Sequence, residues 1–282
     1  MKEKDLHKFI KNALLEDIGD GDHTSIASVP NTAISKSQLI IKQKGIIAGI
    51  ELAKIIFKVV DSNIEFNEIK KDGDKVYPND IGFTVFGRSR SILMAERLVL
   101  NCMQNMSAIA TKTSSLNKII SKTKCKILDT RKTTPLNRKI EKWAVRIGGG
   151  NNHRFGLFDM IMIKDNHIDC AGSIDNAINN TKKYLKKENR NLDIIVEARN
   201  ISEVQEIIKH NGIKRILLDN FNYLDTKEAI KIIDGKCETE SSGNINELTI
   251  LKYAECGVNY ISLGSLTNSK EVFDLSLKTI VN

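Results

Sequence analysis

The chain has 282 residues, 41% of them hydrophobic, enough for one large domain or two modest ones with a real core. Its net charge of +8, from 43 Lys and Arg against 35 Asp and Glu, admits an anionic partner. The basic residues are spread along the chain without an aromatic-basic or helix-turn-helix pattern, so nucleic acid is set aside. No run free of Asp, Glu, Lys and Arg exceeds 14 residues, too short to span a bilayer, so no membrane partner is expected.

The start, Met1-Lys-Glu-Lys-Asp5, has no apolar leader core. The five cysteines, at 102, 125, 170, 237 and 256, show no Cys-x-x-Cys spacing, and Cys102, Cys125 and Cys237 lie in apolar runs as reduced core residues. The five histidines form no His-Glu-x-x-His, so no protein-bound zinc is expected. A cytoplasmic location is expected.

Residues 3–16 read as an amphipathic helix with Leu6, Phe9, Ile10, Ala13 and Leu14 on one stripe, ended by Gly19 and Gly21. Residues 38–41 read as a strand, with a turn at Gly45, and 51–60 as a helix. Residues 64–69 alternate as a half-buried strand, Asp72-Gly-Asp74 reads as a hairpin turn, and 81–86 as another strand. A helix from Ser89 to Ala110 joins the halves, its apolar face holding Ile92, Leu93, Leu98, Leu100, Met103 and Met106. Arg97 falls on that stripe, where a charge calls for a partner or a ligand. This mix reads as an α+β layer over residues 1–110.

From residue 111 to 282 the pattern is regular. Strand-like runs near 125–129, 159–163, 193–197, 215–219, 236–240 and 259–263 are mostly separated by helical runs near 173–187, 201–211, 224–234 and 245–256. Such alternation specifies parallel strands with helices outside, in a barrel or an open doubly wound sheet. The strand ends carry Asp129 with Arg131, Lys164, Glu197, Asp219, Glu240 with Ser242 and Gly243, and Gly264 with Ser265. Polar residues at every carboxyl end favour a barrel mouth.

Between Arg131 and Lys164 stand eight Lys or Arg and only two acids, Glu141 and Asp159. Arg138, Lys139 and Lys142 read as the solvated face of a helix. Arg131, Lys132, Arg154 and Lys164 sit at strand ends or beside glycines, where such sheets place ligands, and point to a polyanionic small molecule.

Three motifs in order, Asp129-Thr-Arg-Lys-Thr133, Gly148-Gly-Gly-Asn-Asn-His-Arg154 and Ile163-Lys-Asp-Asn-His167, resemble the quinolinate phosphoribosyltransferase family. The likeness covers nearly the whole chain, through Leu15-Glu-Asp-Ile-Gly-Asp-Gly-Asp22, Glu96-Arg97, Leu218-Asp219-Asn220, Glu240-Ser-Ser-Gly243 and Ser262-Leu-Gly-Ser-Leu-Thr267. It implies an incomplete α/β barrel of about seven parallel strands after an N-terminal α+β sandwich domain, the seventh strand being inherited from the family. It implies transfer of a phosphoribosyl group from phosphoribosyl pyrophosphate to quinolinate with decarboxylation, in a homodimer with shared active sites.

By the same resemblance, Arg97, Arg131, His153, Arg154 and Lys164 bind the dicarboxylate. Lys132, Glu197 and Asp219 are the expected catalytic residues: Lys132 on the pyrophosphate, the two acids on the ribose. Ser242, Gly243, Gly264 and Ser265 offer backbone N–H groups to the 5′-phosphate. Mg2+ is expected to enter bound to the phosphates, with no protein metal ligands. Family members commonly carry glycine where Leu136 and Asn244 stand, and sometimes histidine at Asn268. Rival readings are a molybdenum-transport-associated homologue, a phosphoribosyltransferase for another base, or a non-catalytic anion-binding protein; the last would not need Glu197 and Asp219 at a cationic mouth.

Overall fold

A computed structural model describes residues 3–268 and 272–280; Met1 and Lys2 of the charged start lie outside them. In chain order come α1 (Glu3–Ile18), α2 (His23–Ser28), β1 (Ile34–Ile41), β2 (Gly45–Ile46), α3 (Ile50–Val60), β3 (Glu65–Glu68), β4 (Lys75–Val76), β5 (Ile81–Arg88) and α4 (Ser89–Ile119). Then follow β6 (Lys126–Leu128), α5 (Arg138–Ile147), β7 (Ile161–Ile163), α6 (Asp165–Ala171), α7 (Ile174–Lys187), β8 (Ile194–Ala198), α8 (Ile201–Ile207) and β9 (Arg215–Asp219). The chain closes with α9 (Tyr223–Ile233), β10 (Glu238–Ser242), α10 (Ile250–Glu255), β11 (Tyr260–Ser262), α11 (Ser265–Asn268) and β12 (Leu275–Thr279). No helix among the described residues is long and apolar enough to cross a membrane.

The chain divides into two compact units, Met1–Ser114 with Pro135–Gly149 and Ser269–Asn282, and Ser115–Thr134 with Gly150–Asn268. The first unit takes in β12, which pairs antiparallel with β1, and the segment bearing α5.

The first unit holds an antiparallel sheet, β12-β1-β5-β3, and the short pair β2-β4. Phe57 of α3 meets Phe66 of β3 and Phe83 of β5 at ring-centroid distances of 6.1 and 6.0 Å, packing the helix on the sheet. Gly49 precedes α3 at φ 97°, where an added Cβ would lie 3.1 Å from Met103 Cγ; glycine meets both demands. The turn at Asp72-Gly-Asp74 is present, with Asp74 N donating to Lys71 O, but β4 pairs with β2 and not with β3. The turn therefore makes no β-hairpin with β3. Asp72 Oδ1 instead accepts from Ile50 N at 2.8 Å and caps α3.

On α1, Leu6, Ile10 and Leu14 are buried as the stripe predicts. On α4 the buried side runs through Ile92, Ala95, Val99, Cys102, Met103 and Met106, whereas Leu93 and Arg97 are exposed. The helix is rotated so that Arg97 faces solvent, and it meets no burial penalty. Lys142 is buried, contrary to a solvated face; Glu141 beside it is buried too, and Lys139 pairs with Asp5 at 2.9 Å.

In the second unit, six parallel strands lie in the order β6-β11-β10-β9-β8-β7. Asn151 bridges Leu128 in parallel beyond β6, reducing the inherited seventh strand to a single bridge among the described residues. Ile163, Ile194, Val196, Ala198, Ile216 and Leu218 face outward into a core shared with Ile178 of α7, Val204 of α8 and Ala229 of α9. Strand side chains alternate, so Ile195 and Glu197, Arg215, Leu217 and Asp219, and Glu238, Glu240 and Ser242 turn to the opposite, inner side. This is an incomplete α/β barrel, and its inner register carries the polar residues. α10 is shorter than the 245–256 run, since residues 246–249 form a turn before it, with Thr249 N donating to Asn246 O.

Candidate active site

The carboxyl ends of the second unit's strands deliver the site. Lys164 follows β7 directly, and Ile163 pairs with Val196, which sets Lys164 beside Glu197 of β8. Lys164 Nζ donates to Glu197 Oε2 at 2.6 Å; Glu197 is buried and Lys164 half-exposed. Asp219 ends β9, paired with Ser242 of β10. Burial and the Glu197 charge push the Asp219 carboxyl above its ordinary value, opposed by the Lys164 charge and a hydrogen bond from Asn220.

The loop after β6 is held from several sides. Asp129 is fully buried; its Oδ1 accepts from His153 N at 2.8 Å and its Oδ2 from Asn152 Nδ2 at 2.6 Å. Asp129 thus organises the Gly-Gly-Gly-Asn-Asn-His-Arg segment from β6. Lys132 N donates to Thr130 Oγ1 at 3.0 Å, and Lys132 O accepts from Thr267 Oγ1 at 2.8 Å. Those two bonds clamp the backbone that carries the Arg131 and Lys132 side chains. A Cβ on Gly264 would lie 2.8 Å from Lys132 Cδ, so glycine leaves room for that lysine.

Arg131 is exposed and Arg154 buried. Burial, and next the Arg131 charge, lower the Arg154 pKa, with Asp159 opposing. Two guanidinium groups are thus near enough to repel, a geometry suited to a dianion. Arg154 Nη1 donates to Met160 O at 3.3 Å, and its backbone N donates to His153 Nδ1 at 2.6 Å.

After β10, Gly243 has φ 93°, and an added Cβ would lie 3.0 Å from Asn220 N. Asn220, itself at φ 57°, donates from its backbone N to Ser242 O at 2.8 Å and from Nδ2 to Asp219 Oδ2 at 2.8 Å. Asn244 has φ 51°, a left-handed conformation that asparagine tolerates, and donates to Asn220 Oδ1 at 3.1 Å. The Asp219–Asn220–Asn244 chain was not legible beforehand, although three polar residues after adjacent strand ends hinted at it. Gly243 does not open a helix, since α10 begins only at Ile250; Ser265 does begin the short α11.

The second unit therefore gathers Lys164, Glu197 and Asp219, sets Arg131 near Arg154, and sets Gly264 against Lys132. Arg97 lies in the first unit, lining a cavity of about 720 Å³ with Asn101, Asn105, Leu136 and Lys139. Among the described residues no group of three or more His, Cys, Asp or Glu could hold a metal ion. All five cysteines are unpaired, and burial pushes the Cys102 and Cys125 thiols up to about 12.

Residues 22–107 match the family model for the quinolinate phosphoribosyl transferase N-terminal domain, and residues 109–278 that for its C-terminal domain. The chain is 43% identical over 289 residues to the chloroplastic nicotinate-nucleotide pyrophosphorylase [carboxylating] of Arabidopsis thaliana, covering 97% of this chain and 82% of the relative. It is 39% identical over 277 residues to the probable enzyme of that name from Bacillus subtilis (strain 168), covering 98% and 94%. The solved nicotinate-nucleotide pyrophosphorylase of Francisella tularensis superposes with a TM-score of 0.92 at 38% identity, covering 99% of this chain and 98% of that one.

Proposed function

The chain belongs to the quinolinate phosphoribosyltransferase family, and from that premise we propose that it transfers the phosphoribosyl group of phosphoribosyl pyrophosphate to quinolinate with decarboxylation. The products are nicotinate mononucleotide, pyrophosphate and CO2, within NAD biosynthesis. The observation that carries this reading is Lys164 bonded to Glu197 at 2.6 Å, with Asp219 ending the adjacent strand, at the carboxyl ends whose loops also bear Arg131 and Arg154. Quinolinate brings two adjacent carboxylates to planar donors that match them. Fixed acids suit the positive charge that develops on the ribose as pyrophosphate departs.

In this scheme the pyridine nitrogen bonds to C1′ of the ribose as the C1′–O bond to pyrophosphate breaks. The cationic ring then accepts the electron pair of the C2–carboxylate bond, CO2 leaves, and C2 takes a proton. A tight clamp on the departing carboxylate would stabilise the ground state, so the strongest bidentate arginine contact is assigned to the 3-carboxylate. A substrate complex with its tightest arginine pair on the 2-carboxylate would reverse that assignment.

Lys132 takes the pyrophosphate as a compact charge, His153 and Lys164 complete the dicarboxylate pocket, and Ser242, Gly243, Gly264 and Ser265 take the 5′-phosphate. Mg2+ enters bound to the phosphates of the phosphoribosyl pyrophosphate substrate, with no ligands from the protein. The working form is a homodimer in which Arg97 of one subunit completes the site of the other, a reading supported by its exposure on α4. Unpaired cysteines fit a reducing compartment, and the cytoplasm is the proposed location.

The test is release of CO2 from quinolinate labelled in its 2-carboxylate by the pure protein with magnesium phosphoribosyl pyrophosphate. Release should require both substrates and yield nicotinate mononucleotide in equal amount. Absence of release under saturating substrates would reject the reading.

A further inference from the structure

The inner side of the barrel is charged where α/β barrels ordinarily stack branched aliphatic side chains. Glu240, in β10, is fully buried. Its Oε2 accepts from Arg215 Nη1 of β9 at 2.8 Å and stands 3.3 Å from His153 Nε2. Arg215 also donates from Nη2 and Nε to Glu238 Oε2, at 3.0 and 3.2 Å, and lies 3.9 Å from the Tyr260 ring centre. One guanidinium is thus shared between two acids, which leaves Glu240 negative charge to spend on the His153 ring. Burial acts to raise the Glu240 pKa, but His153, Ser262 and Arg215 outweigh it and hold the carboxyl below its ordinary range.

The other side of the ring is also committed. His153 Nδ1 accepts the backbone N–H of Arg154 at 2.6 Å, so the ring carries its proton on Nε2, toward Glu240. The backbone N of His153 is meanwhile held by Asp129. The peptide from which the Arg154 side chain departs is therefore fixed by Asp129 at one end and by an oriented imidazole at the other.

We propose that Glu240, backed by Arg215, is a positioning residue for the substrate pocket, orienting the His153 ring and through it the Arg154 guanidinium that receives the dicarboxylate. A buried ion pair adds little net stability over apolar residues of equal volume, so what this one contributes is orientation. The proposal rests on the reading of Arg154 as a quinolinate ligand.

A carboxamide at position 240 has one oxygen for two donors. If that oxygen stays with Arg215, its NH2 faces His153 Nε2 and favours the tautomer protonated on Nδ1, against the Arg154 N–H. Glu240→Gln should therefore raise KM for quinolinate about tenfold or more. KM for phosphoribosyl pyrophosphate should stay within about twofold. Loss of both affinities together would mark a merely structural role and overturn the proposal. Arg154→Lys, measured alongside, separates the two readings. If it raises KM for quinolinate while Glu240→Gln does not, the positioning role is rejected and the ligand role stands; if neither variant moves it, both fall. A measurement on the unaltered enzyme keeps the test decisive should Glu240→Gln fail to fold. In 15N-labelled protein the His153 signal, assigned through His153→Asn, should report the proton on Nε2. A proton on Nδ1 would overturn the proposal.

Discussion

Lys164 Nζ lies 2.6 Å from Glu197 Oε2, and Asp219 is near enough to feel both charges. One half-exposed ammonium thus serves two carboxylates at the ends of adjacent strands. The acids are left under-compensated, which suits a site that must receive positive charge during reaction and be ready for it beforehand.

This arrangement has a pH signature. Burial, with the Glu197 charge, holds Asp219 above its ordinary 3.8. An acid raised in the folded state contributes stability that is fully present below its unfolded pKa and lost as pH rises through its folded value. At neutral pH the ionised carboxylate therefore opposes folding. Asp219→Asn should raise Tm at pH 7 by about 2 °C, with the gain shrinking toward zero as pH falls to about 4. Turnover should fall by roughly a hundredfold, more than KM rises, and Glu197→Gln should show the same split. Melts across pH with steady-state kinetics check both parts; a rise confined to KM for phosphoribosyl pyrophosphate would make the acids ground-state hydroxyl ligands.

Gly264→Ala tests the placement of Lys132. The added Cβ would meet the middle of a flexible side chain, so the fold should change by no more than about 0.5 kcal/mol. Lys132 must move, however, and KM for phosphoribosyl pyrophosphate should rise about tenfold with quinolinate affinity unchanged. Equal kinetics in the variant would remove Lys132 from the pyrophosphate site.

Leu136 sits at φ 65° with 93% of its surface exposed, so its side chain packs on little while its backbone is strained. Leu136→Gly relieves strain of about 1–2 kcal/mol and gives back part of it as unfolded-state entropy, a net gain of about 0.5 kcal/mol. Urea unfolding should show a higher midpoint at unchanged slope. A lower midpoint would mean that the leucine packs against something in solution.

Shared sites are tested by mixing subunits. Arg97→Ala and Lys132→Ala homodimers should each be nearly inactive. In a heterodimer of the two, one site carries both defects and the other neither, so about half of wild-type activity should return. Verified heterodimers that stay inactive would return Arg97 to its own chain or make the sites interdependent.

Much of the fold was legible because its signals are local. Short apolar runs between helical stretches marked β8 and β9, and the strand-end positions of Lys164, Glu197 and Asp219 followed from where apolar runs stop. Family motifs added the roles. What the sequence could not settle depends on partners far away in the chain. The return of β12 to β1 joins Leu277 to Leu39, a pairing that no local pattern encodes. The rotation of α4 that exposes Arg97, and the burial of Lys142 on α5, turn on which face of each helix finds a neighbour. The motif placed a histidine at 153, but that its Nε2 would lie 3.3 Å from Glu240, itself bonded to Arg215, depends on two other strands. Side-chain periodicity is a property of the backbone and can be read in one dimension; the polar neighbours of a side chain inside a barrel are set by groups that only the tertiary structure brings within 3 to 4 Å of each other.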